Sequence, residues 1–268
     1  MATGTNSDVP TQPGSGAATL APRADGEGPM AATAVGLTKI YGSGATRVVA
    51  LDSVDVGFEA QRLTAIMGPS GSGKSTLLHC MAGLDAVTDG DVRIGDTRIS
   101  DLSDKQLTLL RRQRLGFIFQ AFNLVPTLTA EENILLPLHL GGSEPDPEWE
   151  RRVVDSLQLD ERLRHRPSEL SGGQQQRVAV ARALVTRPDI IFADEPTGNL
   201  DSKTGGEVLG FLRRAVDDWN QTVVMVTHDP GAASYADLVI FLRDGRLVGR
   251  LADPTPELVF ERIQALEG

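Results

Sequence analysis

Hydrophobic positions fall into short β-rich runs that alternate with longer stretches of helical spacing. From Val35 onward VVALDSVDVGF and LTAIMG read as strands, followed by a Gly-rich turn and a predicted helix from Gly73 to about Leu84. DVRIGDTRI is a second β-like stretch with a Gly-Asp turn. Ser103 and Gln106 form a capping-box pattern that opens a basic helix ending near Arg114. LGFIF at 115–119 is strand-like and stops at Gln120. From Thr129 to about Arg166 the spacing is helical, with Thr129 and Glu132 as a second capping box and an acidic, Pro-containing loop at 141–147 splitting it. A helix from Ser171 to about Thr186, the strand DIIFADE, a helix over 203–218, the strand TVVMVTHD and the pair DLVIFLRDGRLVGRL complete the pattern. The segment after His228 ends in an amphipathic stretch, ELVFERIQAL. Strands that alternate with helices predict an α/β protein with a mainly parallel sheet covered on both faces, and no internal repeat is apparent.

Composition narrows the chemistry. Across 268 residues, 36 acidic against 26 basic side chains give a net charge of −10. An acidic surface does not hold nucleic-acid phosphates or anionic lipid by bulk electrostatics, so any anion needs a local device. The lone Cys80 excludes an internal disulfide and points to a reducing compartment, and the histidines at 79, 139, 165 and 228 have no zinc-ligand spacing. No apolar run is long enough to span a bilayer. Residues 1–30 lack the basic start and apolar core of a signal peptide. Rich in Gly and Pro, they read as a disordered tail. Cys80 and Trp149 read as structural.

The local device is visible in the sequence. Gly68, Pro69, Ser70, Gly71, Ser72, Gly73, Lys74 and Ser75, followed by Thr76, match G-x-x-x-x-G-K-[ST] directly after the apolar strand LTAIM and at the start of a helix. Glycines let successive backbone N–H groups point inward, and the helix N-terminus adds partial positive charge. Lys74 then reaches the β- and γ-phosphates of ATP, and Ser75 ligates Mg²⁺. IIFADE sets Asp194 and Glu195 at the end of an apolar strand, where a parallel sheet presents its last side chains to the ligand crevice. Asp194 suits Mg²⁺, and Glu195 suits the base that polarises the attacking water.

Leu170-Ser171-Gly172-Gly173-Gln174 fits an S-x-x-Q capping box, but it also resembles the LSGGQ signature of the ATP-binding cassette (ABC) ATPases. The remaining motifs of that family follow in order over about residues 33–250. Tyr41 resembles the aromatic residue that stacks on adenine. Gln120 resembles the Q-loop glutamine, which serves both metal and catalysis. Asp201 in GNLD resembles the D-loop aspartate, and His228 in VTHD the catalytic switch histidine. The resemblance implies a P-loop NTPase fold with an antiparallel β subdomain and an inserted α-helical subdomain at about 121–170, within a domain spanning 31–268. It implies a head-to-tail homodimer in which each ATP lies between one copy's phosphate loop and the other's Ser171 and Gly173.

The interval from Lys74 to Ser171 holds no heptad run and no Cys pair, unlike the chromosome and DNA-repair machines of the family, so nucleic acid is not an expected partner. No N-K-x-D guanine motif supports a GTPase. FQAFNLVPTLTAEENILLPL and EPTGNLDSKTG resemble the branch of lipoprotein-release, macrolide-efflux, cell-division and antimicrobial-peptide-resistance ATPases. That resemblance implies a cytoplasmic subunit at the inner face of the membrane. Its partner would be a separate permease, with four transmembrane helices and a large extracytoplasmic domain. Phe122, Leu124, Leu128 and Ile134–Leu136 are candidates for the apolar groove that receives it.

Overall fold

A strand buried on both faces sends alternate side chains into two separate cores, and the arrangement of this chain follows from that requirement. The computed structural model describes Met1 and residues 28–267. In chain order the elements are β1 (Met30–Tyr41), β2 (Val48–Glu59), β3 (Leu63–Met67), α1 (Lys74–Met81), β4 (Asp89–Ile94), β5 (Thr97–Arg98), α2 (Asp104–Arg114), β6 (Leu115–Phe119), α3 (Ala130–Gly141) and α4 (Pro147–Ser156). They continue with α5 (Gly172–Leu184), β7 (Ile190–Asp194), α6 (Ser202–Trp219), β8 (Val223–Val226), α7 (Pro230–Ala233), β9 (Leu238–Arg243), β10 (Arg246–Ala252) and α8 (Pro256–Glu267). Six strands form one sheet in the order β10-β9-β3-β8-β7-β6, parallel except for the β9–β10 pair. A second, antiparallel sheet has the order β2-β1-β4-β5.

Leu63, Ala65 and Met67 of β3 point to one face, with Ile191, Ala193, Met225 and Phe241, and pack on the helices from α3 to α6. Ile66, Phe192, Val224, Val226 and Ile240 point to the other face, where α1 and the second sheet supply Leu77, Met81, Leu37, Phe58 and Val92. Every side chain of β3 and β8 is buried. A polar edge on either face is therefore confined to the strand ends, which is where the candidate residues lie.

The insertion between β6 and β7 departs from the pattern in the sequence. Both expected capping boxes form, at Ser103/Gln106 and Thr129/Glu132. The helical stretch expected over Thr129–Arg166 is split where the acidic loop at 141–147 lies, α3 stopping at Gly141 and α4 starting behind the Asp146 cap at Pro147, but it ends at Ser156, short of the expected Arg166. Gln158 then takes a left-handed φ of 56°, and only short 3₁₀ turns at 160–162 and 167–169 follow. Helical spacing of apolar residues there serves packing on the core without continuing the helix. Residues 2–27 of the tail assigned to 1–30 lie outside the described residues, whereas Pro29 O already accepts from Ala60 N–H and Met30 begins β1. The short α7 is signalled in the sequence only by Asp229, which caps it through Gly231 N–H, and Pro230 at its first position. Among the described residues, no helix is long and apolar enough to cross a membrane.

Apolar side chains of the insertion join the main core, so that Ile134, Trp149, Val153 and Leu157 belong to the same cluster as the buried faces of α5 and α6. Trp149 bolts the two together: its indole N–H donates to Leu184 O at 3.0 Å, and its ring meets Trp219 edge-on at 5.0 Å. Trp149→Ala is expected to cost about 3–5 kcal/mol of unfolding free energy, from the cavity left in the core, while Leu184 O keeps the Arg187 N–H, read by urea denaturation.

Candidate nucleotide site

Strand register gathers the candidate residues. Phe119 pairs with Asp194, Asp194 with Val226, and Val226 with Ile66. The residues that follow, Gln120, Glu195, Thr227 and the loop from Gly68, therefore leave adjacent parallel strands at one edge of the sheet. Thr227 N–H still donates to Ile66 O, and Glu195 N–H to Val226 O, so the edge is tied together before the chains diverge.

Glycine is required in the loop at Gly68 and Gly73. Gly68 has φ 152°, and a Cβ there would lie 1.9 Å from Leu242 O; Gly73, the N-cap of α1, has φ 99° and would meet Ala50 O at 2.4 Å. The loop is thus pressed against neighbouring backbone on two sides, and Ser72 N–H closes a turn on Pro69 O within it. Lys74 folds over it, donating to Gly68 O at 2.9 Å and Pro69 O at 2.8 Å. Burial draws its ammonium below the usual value, and the charges of Glu195 and Asp194 oppose that drop. The Ser72 hydroxyl is buried without a partner, whereas Ser70, Gly71 and Ser75 are exposed.

Ser75 Oγ donates to Asp194 Oδ1 at 3.0 Å, and His79, one turn further along α1, brings Nε2 to 3.7 Å from Asp194 Oδ2. The hydroxyl and carboxylate oxygens form a hard donor set that fits Mg²⁺. Glu195 is left-handed, with φ 46°, and its Oε1 is 3.1 Å from His228 Nδ1. Strain of this kind is held by surrounding structure and is common where a side chain must be aimed. Gln120 is exposed, and its amide lies over Gly198 in the loop after Glu195, where a Cβ would come within 2.7 Å. Among the described residues no hydrogen bond joins it to Ser75 or Asp194.

The signature serves as the capping box as well. Gln174 N–H donates to Ser171 Oγ, and Ser171 N–H to Gln174 Oε1, leaving Ser171 and Gly172 exposed at the start of α5. Gly173 faces Thr204, whose hydroxyl donates to Asp201 Oδ2 at 2.7 Å. Asp201 caps α6, and bonds from the Thr204 hydroxyl and backbone hold its carboxyl below the usual range. Helix α1 packs on β1, β2, β4, β7 and β8, whereas α5 packs on β6, α3, α4 and α6. The phosphate loop and the signature are therefore carried by different parts of the fold.

Tyr41 ends β1, half-exposed, with its hydroxyl donating to Asp85 Oδ2 at 2.5 Å. Lys39 bonds Asp85 Oδ1 at 2.6 Å and stands 4.7 Å from the Tyr41 ring centre. Burial and the bond to Asp85 push the phenol pKa up. Sequence reasoning missed Lys39 and Asp85, which are distant in sequence and match no motif. It also missed His79, although its position four residues after Ser75 places it on the same helix face.

An apolar groove of ≈ 290 Å³ lies between the sheet edge and α3, lined by Phe117, Phe119, Leu136, Pro137 and Leu140 with Arg111, Arg112 and Arg182 at its margins. Of the residues expected there, Leu136 alone takes part. Ile134 is buried in the core, Leu124 and Leu135 pack against it, and Phe122 and Leu128 are half-buried outside the lining. Position along a helix decides this: α3 turns Ile134 inward and offers the groove its next turn. Phe117 and Phe119 could have been found from the alternation in LGFIF on an edge strand.

A sequence model described as ABC transporter matches residues 51–198. The ABC transporter ATP-binding protein MJ0796 of Methanocaldococcus jannaschii is 46% identical over 217 residues, covering 79% of this chain and 92% of that one. The lipoprotein-releasing system ATP-binding protein LolD of Xanthomonas axonopodis pv. citri is 43% identical over 225 residues, 82% of this chain and 92% of its own. A solved dimer of MJ0796 in a post-hydrolysis state, bound to ADP and Pi, matches with a TM-score of 0.75 at 41% identity, covering 83% of this chain and 98% of that one. The chain belongs to the ABC transporter family, as one of its ATP-binding ATPase cassettes. Within that family it sides with the lipoprotein-release and macrolide-efflux branch, as the motifs after Gln120 and Glu195 implied.

Lys74→Ala removes the one ammonium folded over the loop and is expected to weaken MgATP binding about 10- to 100-fold, the value of a charge-assisted contact, in a calorimetric titration.

Proposed function

We propose that this chain is the ATP-hydrolysing subunit that drives a separate membrane permease, working as a head-to-tail homodimer with two ATP molecules at its seam. The observation that carries the reading is the division of the motifs. The phosphate loop, Asp194, Glu195 and His228 share one sheet edge, while Ser171, Gly172 and Gly173 are presented on another part of the surface by α5. A helix N-terminus with exposed amides is a ready phosphate site, and a second copy can bring it to this one's nucleotide.

Each residue then has a physical task. Tyr41 stacks on adenine. The loop amides of 68–76 and Lys74 bind the phosphates. Ser75 and Asp194, joined by Gln120, would hold Mg²⁺, which when bound neutralises phosphate charge. Glu195 takes a proton from the water whose oxygen attacks the γ-phosphorus, while the bond to the β-phosphate oxygen breaks and ADP leaves. His228, with Nδ1 turned to Glu195, has Nε2 free for a γ-phosphate oxygen. The partner's signature, Ser171 to Gln174, closes the site, and Asp201 lies along the seam.

The groove beside Gln120 takes a cytoplasmic helix of the permease. Its walls are apolar and its margin carries three guanidinium groups on a protein that is acidic overall. This reading puts the protein in the cytoplasm, at the inner face of the membrane, with a permease of four transmembrane helices and a large extracytoplasmic domain. The lipoprotein-releasing function named for LolD supports the same assignment.

Glu195→Gln is expected to cut turnover roughly 10²–10⁴-fold and to elute as a dimer with ATP on size-exclusion chromatography, whereas Ser171→Arg in that background stays monomeric yet still binds ATP. A Glu195→Gln chain that remains monomeric with ATP overturns the shared site. Leu140→Asp, at the exposed lip of the groove, is expected to abolish recovery of a multispan protein from detergent-solubilised membranes while ATP-dependent dimerisation persists.

A further inference from the structure

Helix α5 carries one polar side chain within its buried stripe. Gln176 is 0% exposed and stands two residues before the buried apolar run Val178, Ala179, Val180 and Ala181. Its amide N–H donates to the carbonyl of Pro196, and its Oε1 is buried with no partner. Packing alone does not account for such a residue, because a methionine of similar volume would fill the same space; what it would not supply is the donor to Pro196 O. The acceptor gives the reason, since Pro196 is the residue directly after Glu195.

Glu195 sits in the left-handed region, its N–H bonded to Val226 O and its carbonyl accepting from Gly198 N–H. The Gln176 amide adds a fixed point on the next carbonyl, which limits the turn that aims the carboxylate. The far end of the same loop is held to α5 as well, where Gly173 meets Thr204 and Thr204 bonds Asp201. The loop 195–201 is thus anchored at both ends to the helix whose first residues are the signature.

We propose that Gln176 is a positioning residue for hydrolysis: it ties Glu195 to the signature helix, so that a subunit whose signature is seated on its partner's nucleotide holds its own Glu195 in working geometry. The two ATP sites are then linked through one buried amide inside each subunit. This inference rests on the shared-site reading above.

Two variants of the full chain test it. In Gln176→Met the donor is lost at nearly constant volume. Its kcat is expected to fall about tenfold or more, with KM for ATP within about twofold, melting temperature within a few degrees, and ATP-dependent dimerisation retained in the Glu195→Gln background. In Gln176→Glu the neutral acid can donate to Pro196 O and the carboxylate cannot, so its kcat relative to the parent is expected to recover as pH is lowered. That recovery decides the matter alone if Gln176→Met does not fold. Parental kcat in Gln176→Met, a loss seen only in KM or in dimer formation, or a Gln176→Glu ratio that is flat with pH would overturn the positioning role. A Glu195→Gln chain that fails to dimerise with ATP overturns the shared-site reading first, and the linkage between sites with it.

Discussion

Everything at the candidate site depends on the hydrogen-bond register of four parallel strands. Because Phe119, Asp194, Val226 and Ile66 lie in one row across β6, β7, β8 and β3, Gln120, Glu195, Thr227 and, just past Met67, the loop from Gly68 leave the sheet at the same edge. A slip of one residue in any pair would turn Asp194 into the core and bring an aliphatic side chain to the edge. Burial on both faces makes such a slip prohibitive, since Ala193 and Phe192 occupy opposite cores that differ in shape. The chemistry is therefore positioned by packing that has nothing to do with phosphate.

The same economy governs electrostatics. A protein with a net charge of −10 repels a polyanion at long range, so binding must be local. The loop between β3 and α1 concentrates backbone dipoles at a point where Leu242 and Ala50 press its glycines into shape. Lys74, partly desolvated, adds the one mobile charge, and the carboxylates of Asp194 and Glu195 favour its ionised form. Positive potential is thus confined to the place where it is used.

The segment after Glu195 is the point at which separate parts of the fold meet. Gln176 holds Pro196, Asn199 Nδ2 donates to Gln120 O at 2.9 Å, and Asp201 caps α6 beside Gly173. Arg182, whose guanidinium is drawn below its usual pKa by burial, donates to the carbonyls of Phe122 and Asn123 and so braces the stretch that follows Gln120 against α5. The groove margin, helix α5 and the Glu195 carboxylate are in this way neighbours of one short loop.

The sequence by itself determined the alternation of elements, the phosphate loop, the carboxylate pair and the three capping boxes, because each depends on residues close together in the chain or on a fixed spacing that backbone geometry enforces. It carried the family through LSGGQ and the motifs around it for the same reason. Only the tertiary structure decided that Asp85 and Lys39 hold Tyr41, that Gln176 reaches Pro196, that Leu136 rather than Ile134 lines the groove, and that the insertion shares the main core. Those outcomes hang on contacts between segments far apart in sequence, where the choice among many plausible partners is made by which volumes and polar groups fit once the sheet has closed.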